Sequence, residues 1–286
     1  MSKPLVLVTG ATGTIGSELV PQLVAAEVRV RVLVRDPEKA KKFDKSVEVA
    51  QGDLEKPETL TRAFADVDKV FVLSNSPLIA VLEGNAYDAA KAAGVKHVVK
   101  LSGRHINADF FVGTALASWH RESEQRLQSL GIPWTILRPG FWASNMLMFV
   151  ARQTNTISLP CGEGKESFID PADIAGCAVK VLTTPGHDGR IYELTGTEGL
   201  TYGQVAAKLS SAIGRKVTYN DIPEDALREG FLSMGFHTPT AESFIQMFVA
   251  VRNGKIFPPT STVAELLGRP ARSFDDWARD HATAFS

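Results

Sequence analysis

The sequence has few cysteines, no excess of either charge and no long hydrophobic run. Two cysteines in 286 residues are too few for a disulfide scaffold, so Cys161 and Cys177 are expected to be reduced thiols, and their surroundings predict no metal site. Lys and Arg number 31 against 32 Asp and Glu, which gives a formal net charge of −1. Proteins that bind nucleic acid usually carry a basic excess, so this balance argues against a nucleic-acid partner.

The hydrophobic segments are too short for export or membrane insertion. The longest, residues 141–151, is interrupted by Ser144 and Asn145, whereas a membrane helix needs about 20 apolar residues. The N-terminus has four apolar residues, Leu5–Val8, before Thr9, and a signal peptide needs a longer apolar core. With 44% hydrophobic and 22% charged residues, the composition is that of an ordinary globular protein. We therefore expect a folded cytoplasmic protein without a membrane partner.

Short β-branched runs alternate with helical spacing through the first half of the chain. Leu5–Val8 is continuous and apolar, which is typical of a strand buried on both faces of a parallel sheet. Further strands are predicted at 28–34, 47–49, 70–73, 95–101 and 134–137, and helices at 15–26, 37–43, 57–65, 78–93 and 119–130. This alternation predicts βαβ units and therefore an α/β fold with a Rossmann-like, doubly wound parallel sheet.

The second half is less regular and predicts a smaller region. Its predicted helices are 172–182, 202–213, 241–251 and 274–284, and its predicted strands are 191–194 and 217–219. Open α/β sheets bind ligands at the carboxyl ends of their strands, so this region is expected to form a C-terminal cap on the substrate side. The predicted division is a main domain over 1–154 and a smaller region over 155–286, partly interwoven with the first.

Three glycines follow the first predicted strand and open the first predicted helix. Gly10 suits a tight turn, Gly13 lets a pyrophosphate approach the backbone, and Gly16 suits close packing of the helix on the sheet. Free N–H groups at the start of a helix attract phosphate. The loop therefore predicts that domain 1–154 binds NAD(P), although a purely structural turn is the alternative. The residues assigned to this site are Gly10, Thr12, Gly13, Thr14, Ile15 and Gly16.

The end of the second predicted strand bears on the choice between the two nicotinamide cofactors. An acidic residue there binds the ribose 2′-hydroxyl of NAD, whereas an arginine suits the 2′-phosphate of NADP. The sequence has Arg35 followed by Asp36. Arg35 favours NADP(H), and Asp36 leaves NAD(H) as an alternative. Arg35 as an ordinary solvated charge is the other interpretation.

Two more strand ends are expected to contact the cofactor. Asp53, followed by Leu54, is placed to accept a hydrogen bond from the adenine amino group, or else to cap a helix. Ser74 and Asn75 follow the fourth predicted strand and are expected to bind ribose or phosphate oxygens. Their alternative role is to cap the helix that begins near Pro77.

Four segments together resemble the NmrA-like branch of the atypical short-chain dehydrogenase/reductases. They are residues 9–16, 33–37, 52–54 and 131–140, and the resemblance extends over residues 3–182, including 168–175. The branch contains NAD(P)H-dependent quinone, triphenylmethane dye and phenylpropanoid reductases. It also contains non-catalytic regulators that sense the nicotinamide redox state. The resemblance therefore implies either a reductase or a redox sensor with a protein partner.

The residues expected to do the chemistry depart from the wider superfamily. Its members use a Tyr-x-x-x-Lys pair on the helix after the fifth strand, and this chain has no tyrosine there. Tyr87 and Lys91 have the spacing but precede that strand, so we interpret them as a coincidence on a solvated helix face. His120 lies near a functional lysine of related phenylpropanoid reductases, and either polarises an acceptor carbonyl or bonds a loop carbonyl. Ser102 resembles the superfamily's serine, with a turn-stabilising role as the alternative.

Aromatic residues near the expected cofactor end predict a pocket for a flat acceptor. Phe141 and Trp142 are expected on a loop there, with Trp119 adding surface, whereas Met148 and Phe149 are expected in a core helix. Lys100 is a charged residue inside an apolar predicted strand. We interpret it as a structural residue near the exposed end of that strand.

The sequence thus favours an NADPH-dependent reductase of a quinone-like or other conjugated small molecule, in which positioning does most of the catalysis. The alternative is a redox sensor. A homodimer is an open expectation.

Overall fold

The computed structural model describes residues 3–74, 77–256 and 258–285, and it is an α/β structure. The strands are β1 Leu5–Val8, β2 Arg29–Val34, β3 Glu48–Gln51, β4 Lys69–Val72, β5 His97–Leu101, β6 Trp134–Pro139, β7 Phe141–Trp142, β8 Val150–Ala151, β9 Thr156–Ser158, β10 Lys165–Glu166, β11 Phe168–Ile169, β12 Arg190–Leu194, β13 Leu200–Thr201 and β14 Thr218–Asn220.

The helices occupy both halves of the chain. They are α1 Thr14–Ala25, α2 Leu60–Phe64, α3 Ile79–Ala92, α4 Ala115–Ser129, α5 Met146–Phe149, α6 Pro171–Thr183, α7 Tyr202–Ile213, α8 Glu224–Ser233, α9 Thr238–Arg252, α10 Thr262–Leu267 and α11 Phe274–Asp280. None of the helices in the described ranges combines the length and the hydrophobicity needed to cross a bilayer.

A seven-stranded sheet confirms the predicted Rossmann-like fold. Its strand order is β12-β6-β5-β4-β1-β2-β3, and the pairs β1–β2, β1–β4, β2–β3, β4–β5 and β5–β6 are parallel. All four side chains of β1 are buried, as expected for a strand covered on both faces. The chain order reverses between β1 and β4. Such a reversal is where open α/β sheets bind ligands, so the fold directs attention to the carboxyl end of β1.

The chain forms two compact units, each built from several segments. The first contains the described parts of 1–103, 119–138 and 171–193, and the second those of 104–118, 139–170 and 194–286. The chain returns to the first unit at residue 119 and again at α6. The predicted division at residue 154, with a second region partly interwoven with the first, stays a prediction. Helix α6 packs against α1, where Gln22 Nε2 donates to the Ala172 carbonyl at 3.1 Å.

Clustered aromatic rings form the core of the second unit. Phe141 lies between Phe149, Phe168 and Phe248, with ring centroids 6.1, 5.7 and 5.8 Å away. Residues 141–142 form β7, which pairs with β11, so the prediction that they lie on a loop is wrong. This strand pairing turns the Phe141 ring into the core, where its side chain is only 6% exposed.

Several other expectations are corrected by burial. The predicted helix 37–43 is only a 3-10 turn, Pro37–Ala40, because its residues offer no continuous apolar face to pack. Tyr87 is fully buried instead of solvated, since its hydroxyl pairs with Ser123 at 2.9 Å inside the unit. Met148 is 42% exposed, whereas Phe149 is a core residue as predicted. Lys100 is also fully buried, because its ammonium group pairs with Glu83.

Gly164 provides a test of packing in the second unit. An ideal Cβ at this position would lie 1.9 Å from the Val251 carbonyl oxygen, which belongs to the α9 backbone and cannot rotate away. We expect Gly164→Ala to lower the free energy of unfolding by about 1–3 kcal/mol, seen as a lower urea midpoint. Gly230→Ala is the matched control. That glycine lies inside α8 with no atom within 4 Å of the added methyl group. The free energy of unfolding should therefore stay unchanged or rise by up to ~1 kcal/mol. Equal midpoints for Gly164→Ala and the unaltered chain would contradict the close packing.

Candidate functional site

The glycine loop converts β1 into α1 within a few residues. Gly10 has φ +61°, in the left-handed region that favours glycine, and its carbonyl accepts a hydrogen bond from Gly13 N at 3.0 Å. An ideal Cβ on Gly16 would lie 2.4 Å from both the Gly10 oxygen and the Ala11 Cα. Gly16 therefore lets the start of α1 lie close to the backbone of the preceding loop. The expectation was that Gly16 allows close packing of the helix on the sheet.

The start of α1 offers backbone N–H groups to an anion. Its N-cap is Gly13, so no side chain caps the first turn, and the 12-residue helix places its positive end there. Gly13 and Thr14 are exposed and Thr12 is half-buried, whereas the Ile15 side chain is buried and leaves only its backbone to the site. This is the geometry of a phosphate site at a helix N-terminus.

The ends of β1 and β4 are joined by one hydroxyl. Thr9 Oγ1 accepts from Leu73 N at 2.8 Å and donates to the Leu73 carbonyl at 3.0 Å. Ser74 Oγ follows and donates to Glu83 Oε1 at 3.3 Å. Helix α3 begins without a side-chain cap, so Ser74 does not cap it. Asn75, the other predicted residue of this loop, lies outside the described residues.

Two cations, Arg35 and Lys42, lie near the glycine loop, on the side where the adenosine ribose of the cofactor is expected. Arg35 is exposed after β2, whereas the Asp36 carboxylate accepts from Glu38 N at 3.0 Å and so caps the 3-10 turn. Lys42 was not predicted for this site, and its Nζ donates to Ser17 Oγ at 2.7 Å and to the Thr12 carbonyl at 3.3 Å. Its charge was the only signal, because the predicted helix over 37–43 gave it no direction toward the glycine loop.

Asp53 and Leu54 form the turn after β3. Asp53 Oδ1 accepts from Glu55 N at 3.1 Å, so it caps its own turn and not a helix. The Leu54 carbonyl accepts from Asn85 Nδ2 at 2.8 Å, which fixes this turn to α3. Asp53 and Arg35 line one groove of the first unit, together with Gly52 and Arg62 among others. The groove brings together the two positions predicted for the adenosine end of the cofactor.

Ser102 and His120 are the predicted chemical residues of the first unit. Ser102 is 6% exposed and follows β5, where its N–H donates to the Leu137 carbonyl at 2.7 Å. Within the described ranges, the Ser102 hydroxyl and His120 Nδ1 are buried without a hydrogen-bond partner. Buried polar atoms are normally paired, so both are candidates for bonds to a bound molecule. Burial, reinforced by the charges of Lys100 and Arg138, holds the pKa of His120 well below its usual range.

The predicted acceptor aromatics lie in different units. Trp119 precedes His120 on α4 in the first unit and is half-buried. Trp142 is half-buried in the second unit. Phe141 belongs to the aromatic core described above, so its ring is packed against other phenylalanines and not presented as a flat surface.

Comparison with known proteins identifies full-length relatives. The chain is 39% identical over 287 residues to an NAD(P)H azoreductase from Xenophilus azovorans, covering 98% of this chain and 99% of the relative. It is 38% identical to a (4-alkanoyl-5-oxo-2,5-dihydrofuran-3-yl)methyl phosphate reductase from Streptomyces griseus, covering 99% of each.

A solved structure extends this likeness to the fold. The NADPH-dependent quinone oxidoreductase of Escherichia coli, crystallised with NADPH, superimposes with a TM-score of 0.84. It is 30% identical, and the match covers 96% of this chain and 99% of that one. The model of the NmrA-like family matches residues 2–272, nearly the whole chain. The chain therefore belongs to the NmrA-like family, as the sequence motifs predicted.

Proposed function

We propose that the protein is an NADPH-dependent reductase that delivers a hydride to a quinone-like or other conjugated small molecule. The observation that carries this proposal is the uncapped, glycine-lined start of α1 at the reversal point of the sheet. The full-length relatives support it, because their names describe NAD(P)H-dependent reductases. The redox-sensor alternative has weaker support, since these relatives are named as enzymes.

The residues of the first unit fit a phosphorylated dinucleotide. The N–H groups after Gly13 would hold the pyrophosphate, and a side chain at Gly13 would fill that cradle. Arg35 and Lys42 are proposed to bind a 2′-phosphate, whereas the Asp36 carboxylate is engaged in its own turn. This arrangement supports NADP(H) over NAD(H). Asp53 is proposed for the adenine end and Ser74 for the ribose or phosphate oxygens.

Catalysis is proposed to rest on positioning. NADPH, when bound, supplies the hydride. The unpartnered Ser102 hydroxyl would hydrogen-bond the nicotinamide or the acceptor, and a neutral His120 would hydrogen-bond the acceptor. Helix α4 has neither tyrosine nor lysine among its residues, so no Tyr-x-x-x-Lys pair is proposed to act there. A quinone takes its proton from water after the hydride, and this removes the need for a dedicated acid.

Trp119 is proposed to contact a flat acceptor from the first unit. Contact between Trp142 and the acceptor stays a prediction. The expectations of a cytoplasmic location and of a homodimer also stay predictions. Cys161 and Cys177 are both buried.

Gly13→Val tests the cofactor site. Gly13 has φ −82° and ψ −176°, a conformation that valine adopts, and its nearest neighbour to an added Cβ is the Gly10 oxygen at 3.3 Å. We expect the fold to survive and NADPH binding to be lost, because the side chain occupies the phosphate cradle. Calorimetric titration measures the binding and thermal unfolding the fold. Gly113→Val, at a position with no atom within 4 Å, is the control and should bind NADPH normally. Unchanged binding by Gly13→Val would remove the basis of the proposal.

Arg35→Ala tests cofactor selection. Loss of a charge-assisted hydrogen bond should weaken NADPH binding roughly 10- to 100-fold and NADH binding by less than about threefold. Arg62→Ala removes the same charge from the same groove and serves as the control. It should change the two affinities alike. Equal losses of NADPH and NADH affinity in Arg35→Ala would show that Arg35 is an ordinary surface charge.

A further inference from the structure

Ser74 is held at the carboxyl end of β4, directly beside the glycine turn. The preceding residue, Leu73, is bonded through its N–H and its carbonyl to the Thr9 hydroxyl, at 2.8 and 3.0 Å. The Leu73 carbonyl oxygen would lie 3.1 Å from an ideal Cβ on Gly10, so the backbones of the two strand ends are in close contact. These contacts fix the backbone from which the half-buried Ser74 side chain extends.

The Ser74 hydroxyl donates to a buried carboxylate, that of Glu83 on α3. The distance from Ser74 Oγ to Glu83 Oε1 is 3.3 Å, and the Glu83 side chain is completely buried. Among the residues that the structure describes, Ser74 is the one donor to Oε1, and the Ser74 oxygen accepts no hydrogen bond. The lone pairs of the Ser74 oxygen are therefore available to a bound molecule.

The other carboxylate oxygen of Glu83 faces three donors. Lys100 on β5 donates its ammonium group to Oε2, Ser123 on α4 donates at 2.5 Å, and the Tyr87 hydroxyl donates at 3.2 Å. These donors belong to three different elements, and all of them are completely buried. They fix the plane of the carboxylate, with one oxygen engaged by the three donors and the other directed at Ser74.

Hydrogen-bond chemistry limits what Ser74 can offer to a cofactor. A serine hydroxyl has one proton to donate and two lone pairs that accept. Because the Ser74 proton is directed at Glu83, the Ser74 oxygen is left as an acceptor. Phosphate oxygens only accept hydrogen bonds, whereas a ribose hydroxyl can donate one.

We propose that Glu83 is a positioning residue for the cofactor that acts through Ser74: by taking the hydroxyl proton of Ser74, it makes the Ser74 oxygen the acceptor for a ribose hydroxyl of the nicotinamide cofactor, and a poor partner for a phosphate oxygen. This inference rests on the proposed function, which puts NADPH at the glycine turn. It also gives the buried ion pair of Glu83 and Lys100 a role. Apolar residues of similar size often replace such pairs with equal or greater stability, so stability alone does not account for it.

Ser74→Ala measures the contact with the cofactor. Loss of one neutral hydrogen bond should weaken NADPH binding about 3- to 10-fold in a calorimetric titration. Ser74→Thr keeps the hydroxyl and should bind NADPH within about twofold of the unaltered protein. Ser129→Ala is the matched control, because its hydroxyl belongs to the same unit and bonds the Arg126 carbonyl at the end of α4. It should leave the NADPH affinity unchanged.

Glu83→Gln distinguishes the two kinds of partner by the direction of its effect. Three donors surround the Oε2 position, so the amide oxygen of the glutamine takes that position and its NH2 group faces Ser74. The amide then occupies a lone pair of Ser74, and the Ser74 proton turns toward the cofactor. A ribose hydroxyl has to compete with that proton, so NADPH binding should weaken about 2- to 5-fold.

A phosphate oxygen would instead gain the freed proton, so unchanged or tighter NADPH binding by Glu83→Gln would overturn the proposal. Because this variant leaves the buried Lys100 ammonium group without its carboxylate, Glu83→Gln/Lys100→Met is made in parallel. In that variant the glutamine oxygen still accepts from Ser123, and the same weakening is expected.

A double-mutant cycle separates positioning from a structural role. In the Ser74→Ala background, Glu83→Gln should change the NADPH affinity by less than about 1.5-fold, because it acts only through Ser74. Glu124→Gln is the control, since Glu124 is a buried carboxylate of the same unit that pairs with Arg138. Its effect should be the same with and without the Ser74 hydroxyl. A loss caused by Glu83→Gln that is equally large in the Ser74→Ala background would mean a structural role and would contradict the proposal.

The binding measurement also separates this inference from the proposed function. If the protein binds NADPH but reduces no acceptor, the proposed reductase activity fails, and the cycle still decides the role of Glu83. If the unaltered protein binds no NADPH, both proposals are overturned.

Discussion

The close backbone approach in the turn from β1 into α1 is the constraint on which the site depends. Gly10 reverses the chain with a positive φ, and Gly16 lets the first helical turn lie against the Gly10 and Ala11 backbone. Because no side chain stands at Gly13, the first N–H groups of α1 remain open to a ligand. The hydroxyl of Thr9 fastens this turn to the end of β4, which fixes the cradle at the reversal point of the sheet.

Two buried ion pairs lie in the same unit as the glycine turn. The interior below α4 contains the ion pairs Lys100–Glu83 and Arg138–Glu124, where an ordinary Rossmann-like core is apolar. These pairs tie α3, α4, β5 and β6 together with directional bonds, which specify one arrangement more strictly than apolar contacts do.

Elements set by local sequence patterns were predicted correctly, whereas the burial of side chains that depends on residues distant in the chain was not. Leu5–Val8 and Tyr202–Ile213 form the predicted elements with the predicted bounds, because continuous apolar runs and helical spacing are local signals. The glycine turn from β1 into α1 was also predicted, because the spacing of its glycines is a local signal. The burial of Tyr87 and Lys100 was not, because their partners Ser123 and Glu83 are separated from them by 36 and 17 residues. Phe141 was misplaced for the same reason, since the pairing of β7 with β11 decides where its ring points.

The central claim is that the protein passes a hydride from NADPH to a conjugated acceptor, and transient kinetics tests it most directly. The protein saturated with NADPH is mixed in a stopped-flow instrument with a panel of quinones, azo dyes and triphenylmethane dyes, and the loss of NADPH absorbance is followed. The account predicts protein-dependent oxidation of NADPH whose rate rises and saturates with the concentration of at least one acceptor. Tight NADPH binding with no oxidation by any member of the panel would contradict it and favour a redox sensor.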